Sequence, residues 1–187
     1  MKFAKQLIAL AAVAAAFSAF AESDINTAAG PSSAIAKLDF RVTVPRVVFL
    51  QVGTGTLMTD ITTVDRVDFT LLPTDVGSGV PKAGISTGGV INARVLANGG
   101  GNVSFTAAGS GTGLTGAGLP IIPWSQIVPT ATGGTLIHPA ISGGASTLTA
   151  VAGVVNQSTV YSFDYSNTAS VQAGTYNGQV IYTATQP

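Results

Sequence analysis

The sequence predicts an all-β protein: an immunoglobulin-like antiparallel β-sandwich of about nine strands. Three observations predict it. Apolar residues recur at every second position in run after run, which is the period of a half-buried strand. Clusters of Gly and Pro separate these runs at the spacing usual for sandwiches, and 23 glycines supply the turns. After Ala21, no segment carries a helical period, a helix cap or paired Glu and Lys at helical spacing. A closed barrel is the alternative. No internal repeat of fixed period argues for a solenoid or propeller.

The first segment stands apart from the fold. Lys2 and Lys5 precede an Ala-rich apolar run from Leu7 to Phe17, and Ala19-Phe20-Ala21 places small residues where a signal peptidase reads. This is the pattern of a secretory signal, with cleavage expected after Ala21, so residues 1–21 are assigned as a signal peptide. The run is short for a membrane span, and no second long apolar stretch follows it. Residues 22–36 are small and polar around Gly30-Pro31-Ser32-Ser33 and read as a flexible N-terminal arm. Residues 37–187 are assigned to the sandwich.

Within that domain, Leu38, Phe40, Val42 and Val44 alternate with Asp39, Arg41 and Thr43, predicting a first strand that Pro45 ends. The apolar run Val47 to Leu50 follows, closed by Gly53 and Gly55. Val67, Phe69 and Leu71 face inward in the next strand. Val90 to Ala97 and Asn102 to Ala107 read as a hairpin across Asn98-Gly99-Gly100-Gly101. Leu136-Ile137 and Ser146 to Val155 are shorter candidates. In the last two strands Tyr161, Phe163 and Tyr165 share one face, as do Tyr176, Val180, Tyr182 and Ala184.

Composition excludes several function classes. Eight basic and eight acidic residues give no basic footprint for nucleic acid. The absence of cysteine removes disulfides, thiolate metal sites and Cys nucleophiles. Gly84-Ile85-Ser86-Thr87-Gly88 matches a nucleophile-elbow pattern, but no helix follows it. His138, the one histidine, also precedes Asp164, reversing the hydrolase order. Gly111 to Gly116 matches a dinucleotide-loop pattern but opens no helix. Asp60, Asp65, Asp68 and Asp75 are oxygen donors without EF-hand spacing. The chain is therefore read as non-enzymatic, with no catalytic, cofactor or metal residues. Asp164, the only formal charge after Arg94, is read as a solvated strand charge, with a contact to a neighbouring subunit as the alternative. Trp124 is the candidate platform for stacking on a sugar, with core packing as the alternative.

The charged fraction of 9% leaves a surface of Ser, Thr, Asn, Gln, Gly and Ala, with few lysines to guard sheet edges. That suits a protein that packs against copies of itself. Ala173-Gly174-Thr175-Tyr176-Asn177-Gly178-Gln179-Val180-Ile181-Tyr182-Thr183-Ala184 resembles the last strand of chaperone–usher pilin subunits and related bacterial surface sandwiches, and Gly174 holds their glycine position, fourteenth from the end. Leu38 to Pro45 and Gly101 to Phe105 look similar to such domains. The chain departs from them in having Gln186 at the penultimate position, where pilins usually carry an aromatic, and in lacking a disulfide. The resemblance implies an incomplete sandwich, completed by the N-terminal arm of another subunit. Gly174, Tyr176, Val180, Tyr182 and Ala184 are the candidate core strand or subunit contact.

The expectation is thus a secreted structural or adhesive surface protein, fimbrial-like, whose partners are copies of itself or other envelope proteins. Its location would be periplasmic, extracellular or at the cell surface. A soluble secreted module binding carbohydrate or protein is the alternative.

Overall fold

The computed structural model describes residues 23–187; the signal assignment and the start of the arm at Glu22 lie outside them. The chain divides into two units, one ending at Val44 and one running from Pro45 to Pro187.

Among the described residues of the first unit no strand or helix forms. Asp24 accepts from the Ile35 amide, and Asn26 bonds Ala28 and Ser33, which ties residues 24–35 into a local loop. Contrary to the expectation from alternation, Leu38 to Val44 form no strand. Leu38, Phe40, Val42 and Val44 are 74%, 87%, 85% and 72% exposed, and no edge pairs with them. Alternation tells which side chains share a face. It does not supply the neighbouring strand on which a ladder depends. The compact unit therefore begins at Pro45 rather than at residue 37.

The second unit is all-β, with strands β1 (Val48–Gly53), β2 (Val67–Asp68), β3 (Lys82–Ala83), β4 (Ile85–Ser86), β5 (Ile91–Ala97), β6 (Val103–Gly109), β7 (Gly113–Leu114), β8 (Ile122–Pro123), β9 (Ile127–Thr132), β10 (Ser142–Leu148), β11 (Val155–Tyr165) and β12 (Val180–Thr185). Seven strands are at least six residues long and five have only two residues, a division different from the nine expected. The only helical element among the described residues is one 3₁₀ turn, Trp124–Gln126.

Two antiparallel sheets enclose the core. The first runs β1-β5-β11-β3, with β9 on the other edge of β11; the second runs β10-β6-β12. Two small ladders, β2-β4 and β7-β8, flank them. The expected hairpin between Val90–Ala97 and Asn102–Ala107 does not form. β5 pairs with β1 and β11, whereas β6 pairs with β10 and β12, so the glycines at 99–101 carry the chain from one sheet to the other.

The core follows the alternation. Ile91, Ala93, Val95 and Ala97 of β5 face Val103, Phe105 and Ala107 of β6, joined by Val155, Tyr161, Phe163 and Tyr165 of β11. Small alanines alternate with larger side chains on these buried faces, which leaves room for the rings opposite. One buried polar side chain organises a loop. Asn167, fully buried and left-handed (φ 53°), accepts from the Gly77 amide at 3.0 Å and donates to Ser78 Oγ at 3.2 Å, and its carbonyl accepts from Gly79 N at 2.9 Å. Asn is among the few residues that tolerate this conformation, and its amide satisfies loop groups that burial would otherwise orphan.

Candidate functional site

β1 and β12 are the outer strands of their sheets, and they lie beside one another without pairing. Among the described residues, β1 hydrogen-bonds only to β5, and β12 only to β6. One corner fastens them. The Arg46 guanidinium donates to the carbonyls of Gln186 (3.0 Å) and Pro187. The Gln186 side chain, itself buried, accepts from Gly99 N at 2.9 Å and donates to the Gly101 carbonyl at 2.6 Å. Asn98 completes the corner by accepting from Val47 N at 2.7 Å and donating to the Pro45 carbonyl at 2.8 Å. Gln186 thus serves as a polar anchor at this corner.

The inward residues along these two strands are less covered than those of the central strands. Leu50 and Val52 of β1, and Val180, Tyr182 and Ala184 of β12, pack against the core but stay half-buried. A cleft of about 490 Å³ follows β1, walled by Leu50, Val52, Met58, Ile61 and Asp65. Asp65 holds the returning loop to the strand end by accepting from Thr54 N at 2.7 Å and from Thr54 Oγ1. The site is therefore a pair of unpaired strand edges with half-buried apolar residues along them; the cleft beside β1 has a mixed lining, in which Gln51, Thr54, Thr59, Asp60 and Thr63 accompany the apolar side chains and no β12 residue takes part. An unpaired strand edge can accept an extended peptide through main-chain hydrogen bonds.

The structure brings the expected C-terminal residues together. Tyr176, Val180, Tyr182 and Ala184 all pack on the core side. The regular strand, however, starts only at Val180, and its face is half-covered rather than central. The Tyr182 ring stacks on Phe105 (centroids 6.1 Å, planes 17°), and its hydroxyl meets His138 Nε2 at 2.7 Å. Burial pushes the Tyr182 phenol well above its ordinary value. Gly174 and Gly178 are sites of close approach: a Cβ at Gly174 would strike Leu119, and one at Gly178 would lie 2.6 Å from Trp124 Cη2.

Other candidates fall into structural roles. Trp124 is 7% exposed, part of the core, and donates from Nε1 to the Ser110 carbonyl at 3.2 Å. Its ring therefore presents no broad face on which a sugar could stack. Ser86 lies on β4, and its Oγ accepts from Gly88 N at 3.3 Å in a turn. Asp65, Asp68 and Asp75 do not converge. Asp65 binds Thr54, Asp68 pairs with exposed Arg66 at 2.7 Å, and Asp75 pairs with Lys82 at 2.6 Å. That second pair holds the Asp75 carboxyl below the usual range. Asp164 is partly exposed on the outward face of β11.

Sequence reasoning missed three features: the free edge of β1, the Arg46–Gln186 corner and the bond between His138 and Tyr182. The apolar run at Val47 to Leu50 signalled a strand. Nothing local signalled that its edge would stay unpaired, because pairing is set by segments far away in the chain. No family model, curated protein or solved structure matches the chain.

Proposed function

We propose that this chain is a non-catalytic structural subunit of an exported, fimbrial-like surface assembly, and that copies join by donating a strand. Residues 37–44 of one copy would lie along β12 of the next, with Leu38, Phe40, Val42 and Val44 turned onto its half-covered apolar face. The observation that carries this reading is that one chain holds both halves of the contact. It has an exposed period-two apolar stripe without a partner, and a half-covered core face between two free strand edges.

Burying an apolar side chain of this size contributes about 1.5–3 kcal/mol, so four of them offset much of the cost of ordering residues 37–44, and main-chain hydrogen bonds add to the favourable side. A donated strand would also satisfy the unpaired backbone groups along the β12 edge. The low surface charge, the glycine at 174 and the signal-like first segment fit the same reading. We read the two-sheet layout as immunoglobulin-like, and the location as the cell surface or the surrounding envelope.

Replacing Phe40→Asp together with Val42→Asp places two carboxylates where apolar side chains would be buried, and an unpaired buried charge is strongly unfavourable. Sedimentation velocity should show the purified chain forming oligomers, and the double variant staying monomeric with an unchanged far-UV circular dichroism spectrum. Oligomers of equal size in both proteins would refute strand donation.

A further inference from the structure

We propose that His138 and Tyr182 form an acid-sensitive latch that fastens the edge strand β12 to the segment at 133–141. This inference rests on the fold and is independent of how the chain assembles.

The geometry fixes the protonation state of the ring. His138 Nδ1 faces the carbonyl of Pro139, which can only accept, so Nδ1 carries the proton. Nε2 is then the acceptor, and the Tyr182 hydroxyl donates to it across 2.7 Å. Three rings surround the imidazole: Tyr161 at 4.7 Å, Tyr182 at 5.4 Å and Phe163 at 5.5 Å between centroids. Neighbouring Leu136 and Ile141 are buried in the core, so this segment is packed and not a loose loop.

No counter-charge meets the ring. The titratable groups facing it are Tyr161 of β11 and Tyr182 of β12, and burial holds both phenols protonated well above their ordinary range. The segment at 133–141 and strands β6 and β10 contain no other ionisable residue, and Asp164 follows Phe163 on the opposite face of β11. A second proton on the imidazole would convert Nε2 from acceptor to donor, so the Tyr182 O–H could no longer donate to it and would have to turn away for the phenol oxygen to accept. It would also place a cation among aromatic rings with no carboxylate at hand.

Burial accordingly holds the His138 imidazole below its ordinary value of 6.5. The sign follows. In the unfolded chain His138 takes up a proton as pH falls through 6.5, while the folded chain resists it. The contribution of the latch is thus complete above that pH and is lost as pH falls toward the folded value.

Hydrogen exchange of the purified chain, corrected for intrinsic rates, tests this at about pH 7.5 and about pH 5, and the imidazole signal of the only histidine reports its titration. On acidification the β12 amides should lose about tenfold more protection than those of β5, and His138→Phe should abolish the difference. The imidazole should titrate below its ordinary value. Equal changes in β5 and β12, an imidazole that titrates normally, or a His138→Phe chain with unaltered acid sensitivity would each overturn the proposal. If His138→Phe does not fold, the wild-type titration and exchange still decide.

Discussion

Phe105→Ala is expected to destabilise the domain by about 3–5 kcal/mol, the usual cost of removing a fully buried aromatic. Phe105 has no solvent exposure, lies on the central strand of the β10-β6-β12 sheet, and stacks under Tyr182. The neighbouring strands are held by ladders on both sides of β6, so they cannot close over the space left behind. A domain of this size has only about 5–15 kcal/mol in total. Urea denaturation should show a midpoint lowered by about 2 M, taking a slope near 2 kcal/mol per molar. A shift below about a quarter of that would mean that β6 does not form the middle of the core.

Tyr182→Ala should cost somewhat less, about 2–4 kcal/mol, because the ring is half-buried at the sheet edge. Part of the loss is the Phe105 stack and part the bond to His138 Nε2. A hydrogen bond of this type contributes about 1 kcal/mol, and its removal leaves the imidazole acceptor unmatched. Gln179→Ala is the control. Its side chain is exposed, and its links to Ser110 run through the backbone, which the substitution keeps. That variant should shift by less than about 0.5 kcal/mol. Equal small shifts in the two variants would mean that Tyr182 does not pack inward.

The sequence made the faces legible and the pairings much less so. The alternation of Tyr161, Phe163 and Tyr165 correctly placed three rings in the core, because side-chain direction in a strand is a local property. Val67, Phe69 and Leu71 likewise turn inward although only Val67–Asp68 is laddered. The Asn98–Gly101 segment misled for the opposite reason. An Asn-Gly-rich connection signals a change of direction, but whether its flanking runs pair or part depends on distant edges. Here β11 and β1 already occupy both edges of β5. The same limit explains Leu38 to Val44, whose stripe was readable while its lack of a partner was not. At the candidate site, Tyr176, Val180, Tyr182 and Ala184 were legible as one face. Their half-covered state depends on where β1 ends up, and on the Arg46 and Gln186 bonds that join residues 140 positions apart.

The cysteine-free chain allows a direct test of strand donation. One preparation carries Val42→Cys in the stripe, and a second carries Ala184→Cys on the half-buried face of β12. The two are mixed, allowed to assemble and then oxidised, so that any bond between the two kinds of chain is intermolecular. Thr183→Cys, on the exposed face of the same strand, replaces Ala184→Cys as the control. Strand donation predicts a disulfide-linked pair of unlike chains as the main product with Ala184→Cys, and little with Thr183→Cys. An equal yield from both positions, or no cross-link at Ala184→Cys while oligomers persist, would contradict it.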